Sequence, residues 1–233
     1  MRKLAVYVEG YTEQEFIARY IREIVGSRNV TTEERLASGS GGGRTLKTLR
    51  ISKIGADQRF YVLIVNCGSD NSVASAIRES YNGHITEGFV EIIAFRDVFP
   101  KFTAAEIPNL RVGLHQGIPN GRITPLFVLG VMEIEAWFLA EYSHFQRLHP
   151  ALPCATIQAN LGFDPSVDDM QLRPGPANDL HMAYALIGQG YSKRTNQRAS
   201  IVELLDYGIF YLSPPAIPDL VAFNQRIDSF IAV

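Results

Sequence analysis

Four carboxylates stand where the apolar runs of this chain stop. Residues 4–8 are apolar and close on Glu9. Residues 88–95 close on Arg96 and Asp97, and residues 124–130 are soon followed by Glu133 and Glu135. If those runs are parallel strands, their carboxyl ends share one edge of a sheet, where open α/β folds take their ligands. The acids then converge. Carboxylates with no histidine or cysteine among them form the donor set of a hard cation, Mg2+ or Mn2+, rather than zinc. Such an ion keeps waters and bridges to phosphate oxygens, which suits phosphodiester chemistry.

Each acid also has an ordinary explanation. Glu9 can be a helix-start acid favoured by the dipole, although an acid buried there needs a cation to answer it. Asp97 can pair with Arg96 or cap a turn. Glu133 and Glu135 are two apart, so on a regular helix they point to nearly opposite faces and one of them is solvated. An irregular turn at that point would let both reach the site.

The elements that must position these acids alternate between strand and helix. After Glu9, Gly10 can turn the backbone or let a neighbouring group come close. Thr12 with Glu15 three residues on reads as a capping box, which starts a helix over about 13–26 whose inward positions are Phe16, Ile17, Tyr20, Ile21 and Ile24. Residues 38–43 are a glycine-rich loop, and 45–54 read as a helix with Leu46, Leu49 and Ile54 inward. Residues 60–65 are a second buried strand and 71–81 a second helix. The third and fourth strands are 88–95 and 124–130, separated by a Pro- and Gly-rich surface excursion over 100–121. A helix follows at about 134–142. The expected class is α/β, with a mainly parallel sheet flanked by helices. Residues 1–148 form that domain, and 149–233 a helical C-terminal extension packed on it.

Bulk composition sets mild limits. A chain of 233 residues with 46% hydrophobic and 20% charged content has room for one generous core. A formal net charge of -2 argues against coating nucleic acid through global charge. The apolar run before Glu9 is too short for a signal peptide, no stretch approaches a membrane span, and Cys67 with Cys154 fits neither a zinc pattern nor a disulfide framework. A cytoplasmic protein without a membrane partner is expected.

The remaining motifs carry less. Arg44, Lys47, Arg50 and Lys53 form either a stripe for backbone phosphates or an ordinary solvated face. The five histidines, His84, His115, His144, His149 and His181, show no metal-ligand spacing. The glycines at 39–43 lack the Gly-Lys-Ser/Thr ending of a phosphate-binding loop. Trp137 with Phe138 reads as core packing.

Val8-Glu9-Gly10-x-Thr12-Glu13-x-x-Phe16, followed by strand, helix, strand and an aspartate, resembles a TOPRIM domain. That domain is shared by topoisomerases, primases and nucleases of the overcoming-lysogenization-defect type. The segment Met132-Glu-Ile-Glu-Ala-Trp-Phe-Leu-Ala-Glu141 is similar to small bacterial TOPRIM-like proteins with a Glu-x-Glu-Ala-Trp signature, often linked with phage defence. Gly190-Tyr-Ser-Lys193, Leu204-Leu-Asp206 and Ser213-Pro214 resemble the same group. The resemblance implies a Mg2+-dependent nuclease acting on DNA or RNA, possessing a partner ATPase in some settings. Within it, Glu9 binds metal or shuttles a proton, Asp97 holds Mg2+, and Lys193 is a base that meets the scissile phosphate. The chain departs from the family's Asp-x-Asp at Phe99, so a second metal requires Glu133 or Glu135 to supply the missing oxygen. The alternative is a catalytically degenerate module that binds a protein or nucleic acid. A topoisomerase or primase is disfavoured, since no tyrosine-bearing cleavage domain or zinc-binding domain accompanies the fold.

Overall fold

Strand β1 (Arg2–Val8) lies inside a six-stranded sheet of order β3-β2-β4-β1-β5-β6. The other strands are β2 (Val30–Ser38), β3 (Thr45–Ser52), β4 (Phe60–Asn66), β5 (Phe89–Asp97) and β6 (Leu126–Gly130). The computed structural model describes residues 1–39 and 43–232, and of residues 195–197 the backbone. Part of the glycine-rich loop read at 38–43, and of the glycines at 39–43, therefore lies outside the described residues.

Five strands run parallel, and only β3 is antiparallel to its neighbour β2. The carboxyl ends of β1, β5 and β6 consequently lie along one edge, as the acid positions require. Strand alternation sends Leu4, Val6 and Val8 to one face and Ala5 and Tyr7 to the other. The first face is covered by α1 (Tyr11–Ile21), α4 (Glu135–Ala140), α5 (Ser143–Leu148), α6 (Cys154–Leu161), α7 (Pro176–Ala185), α8 (Thr195–Leu204), α9 (Tyr207–Leu212) and α10 (Pro218–Ile231). The second is covered by α2 (Asp70–Thr86) and α3 (Ile107–His115). Residues beyond 149 thus share one apolar core with β1. Phe16 is its hub, with its ring centroid 5.3 Å from Phe210 and 5.4 Å from Phe138.

Three local expectations are corrected. Residues 45–54 are not a helix: β3 is an edge strand whose side chains are nearly all exposed. A strand wetted on both faces has no burial alternation, so leucines three apart mimic a helical period. Its neighbour β2 was not expected, because Glu33, Glu34 and Arg35 interrupt the apolar pattern. Glu34 is buried yet answered by a bidentate pair from Arg50 at 2.7 and 2.9 Å. Last, α1 is capped by Gly10 and Glu13 rather than by Thr12 and Glu15: the Gly10 N–H donates to Oε2 of Glu13 at 3.0 Å. Gly10 is extended at φ −144, and its use is the close approach, since a Cβ would lie 3.1 Å from that same oxygen. The excursion over 100–121 also contains a helix, α3, with Leu110 and Leu114 turned inward.

Candidate functional site

Glu9 follows β1, and Asp97 ends β5 one strand away. The Asp97 N–H donates to Oε2 of Glu9 across 3.4 Å, so the two expected acids meet at the carboxyl edge. Gly130, the last residue of β6, backs them closely. A Cβ there would lie 2.9 Å from Oδ1 of Asp97, so the absence of a side chain is what leaves the carboxylate its place.

Glu133 and Glu135 both reach the same cation. The chain between β6 and α4 is an irregular turn, which releases the two residues from the opposed directions of a regular helix. Oε1 of Glu133 lies 2.9 Å from Nζ of Lys193, and Oε2 of Glu135 lies 3.4 Å from it. Glu135 is fully buried, and its Oε1 also accepts the Tyr191 hydroxyl at 2.7 Å. The expected acids and Lys193 are thus brought together, with 133 and 135 serving the ammonium.

Two members had not been singled out for roles. Glu13, on the first turn of α1, is buried and electrostatically coupled to Glu9, Asp97 and Glu135. It stands within the Glu9-Gly10-x-Thr12-Glu13 motif, where the sequence pattern assigns it only to a helix start. Tyr191 precedes Lys193 by two, and both side chains contact Glu135.

The electrostatics are those of a site short of positive charge. Burial, then repulsion from Glu13 and Glu9, pushes the Asp97 carboxyl well above the usual carboxylate range. Burial likewise raises Glu13, with Glu135 and Glu9 adding to it. Glu9 is raised by burial and by Asp70, and Glu135 by burial against the lowering pull of Lys193. Burial alone would lower the Lys193 ammonium, but Glu135 and Glu133 outweigh it and hold the pKa up.

Among the described residues no group of three or more His, Cys, Asp or Glu side chains is arranged to hold a metal ion. A cage of the zinc or calcium kind is therefore not formed. Mg2+ asks for less: one or two carboxylates, with waters and a substrate phosphate completing its octahedron. The Glu9–Asp97 pair fits that demand in donor chemistry and charge. Phe99, two residues beyond Asp97, is 46% exposed.

A cavity of ≈ 530 Å³ adjoins the site, lined by Tyr11, Gln14, Glu15, Glu34, Arg50 and Arg198, among others. The Arg198 guanidinium lies over the Tyr11 ring at 5.2 Å and donates through Nη1 to the Lys193 carbonyl at 2.5 Å. Both guanidiniums are paired with acids of the same wall, Arg50 with Glu34 and Arg198 with Glu15 at 3.3 Å. No helix among the described residues is long and apolar enough to cross a membrane. The chain matches no family model, no curated protein and no solved structure.

Proposed function

We propose that this chain is a Mg2+- or Mn2+-dependent nuclease of the TOPRIM type, hydrolysing phosphodiester bonds in DNA or RNA. The observation that supports it most is that the Glu9 carboxylate accepts the Asp97 backbone N–H at 3.4 Å on the carboxyl edge of a parallel sheet. Those two side chains would hold the ion. When bound, it supplies a polarised phosphate oxygen and a more acidic water. Lys193 faces the charge that develops on phosphate, and Glu133 with Glu135 keep its ammonium charged and in place. Glu13, whose carboxyl burial raises to about 7 and whose Oε2 accepts the Gly10 N–H, would be the proton holder. A role in phage defence and an ATPase partner follow from the family resemblance. The direct test is cleavage of plasmid and RNA with Mg2+ or Mn2+, beside Glu9→Gln. Equal cleavage by the variant would sink the assignment.

One second reading has its own support. Phe99 in place of an aspartate, and Lys193 already neutralising Glu133 and Glu135, suit a module that keeps the fold and binds a partner without cutting. Calorimetry with Mn2+ separates the two, because the binding module gives no heat that Glu9→Gln removes.

A further inference from the structure

Arg96 lies on β5 beside Asp97 but points to the other face of the sheet, among α2, α3 and the chain that follows β5. It is only 8% exposed, and its Nε is buried with no hydrogen-bond partner. The Asp70 carboxylate offers little: its nearer oxygen is 3.9 Å from Nη2, while its other oxygen takes Lys101 Nζ at 2.7 Å. A guanidinium withdrawn from water is costly unless an anion answers it. Here that anion is distant and shared with Lys101, and a cavity of ≈ 320 Å³ opens beside the group. That volume is at the lower end of ligand pockets, which begin at about 300 Å³.

We propose that this cavity is a mononucleotide-binding site, with the ligand's phosphate on Arg96. Arg78, anchored through Nε to the Gln116 carbonyl at 2.7 Å, presents a second guanidinium in the wall. The one carboxylate of the lining, Glu106, is held by its own helix cap. Its Oε2 accepts the Thr103 N–H at 2.8 Å and the Thr103 hydroxyl at 2.9 Å. Beyond this cationic end, Asn71 and Asn109 carry amides that donate and accept, which is what the polar edge of a base requires. Leu110 forms an apolar floor for the ring, and Phe102, already 5.3 Å from the Arg96 guanidinium, closes one side. An anionic head joined to a planar, hydrogen-bonding body satisfies all of these groups together. The inference does not depend on the nuclease reading.

Calorimetric titration of the full chain with AMP, GMP, CMP, UMP and inorganic phosphate tests it, in EDTA so that no divalent ion bridges phosphate to the acidic edge. Saturable binding of at least one nucleotide is expected, at about 1 mM or tighter. Arg96→Gln should weaken it at least tenfold. Since that variant alters a buried residue, Gly113→Leu is the second arm. A Cβ at Gly113 meets nothing within 4 Å, so its side chain grows into the cavity from an unstrained helical position and should abolish binding. No heat with any nucleotide, unchanged affinity in Gly113→Leu, or phosphate alone binding as tightly as the nucleotides would each overturn the proposal.

Discussion

Oε2 of Glu9 accepts the backbone N–H of Asp97 at 3.4 Å, tying the acid that follows β1 to the last residue of β5. The contact joins positions 88 apart in sequence. Burial, Glu13 and then Glu9 raise the Asp97 carboxyl, whereas burial and Asp70 raise that of Glu9 and the Asp97 N–H lowers it.

Glu9→Gln should therefore act in opposite directions on function and fold. Removing a charge that repels the buried Asp97 carboxyl relieves strain, so thermal unfolding in EDTA should occur at a higher temperature than in the wild type. Cleavage in Mn2+ should fall on the order of 100-fold or more. A variant that loses both stability and activity together would point to a structural role.

Gly130→Ala tests how Asp97 is seated. The new methyl lies 2.9 Å from Oδ1, and the flexible carboxylate yields more easily than backbone does. Gly130 is buried, so the extra methyl overpacks the end of β6 and should cost about 1–3 kcal/mol. Mn2+ affinity should drop at least about tenfold, a size typical of disturbed support around a ligand.

Lys193→Met leaves Glu135 buried with Tyr191 as its hydrogen-bond partner. The lysine side chain is 48% exposed, so screening reduces the loss to roughly 1–2 kcal/mol. The loss should depend on pH. Without the ammonium the already raised Glu135 rises further, and a raised carboxyl gives stability that is present at low pH and lost as pH climbs. Denaturation in EDTA at pH 5 and pH 8 should show the larger deficit at pH 8.

His144 sets the acid side of the stability profile. Burial lowers its pKa from 6.5 to about 4; the hydrogen bond with the Glu141 carbonyl opposes this and Arg147 adds to it. The unfolded chain takes the proton first, so stability is full above pH 6.5 and is lost as pH falls toward 4. At ~1.4 kcal/mol per unit, the contribution is roughly 3 kcal/mol. Glu141, raised by burial, titrates nearby with the opposite sign, so the comparison with His144→Gln is needed. That variant should lose stability less steeply over this window, as read by urea denaturation.

Phe16→Ala should cost about 3–5 kcal/mol, the range for deleting a buried ring. Because Phe16 packs on Trp137, Phe138, Tyr207 and Phe210, hydrogen exchange should quicken in α9 as well as in α1. Faster exchange confined to α1 would mean that the C-terminal helices hold to the sheet without it.

The local pattern alone determined the run-then-acid positions of Glu9 and Asp97, and the alternation of buried strand with helix that makes a parallel sheet. Burial periodicity and the residue at a strand's end are short-range properties, readable without knowing the neighbours. Three-dimensional packing decided the rest. It made β3 a strand, because an edge wetted on both faces carries no period of its own. It gave Glu133 and Glu135 a common partner in Lys193, about sixty residues on, because an irregular turn cancels the divergence a helix would impose. It drew Glu13 and Tyr191 into the same acid cluster. Charge compensation in a buried site depends on which distant side chains share it, and chain spacing does not encode that.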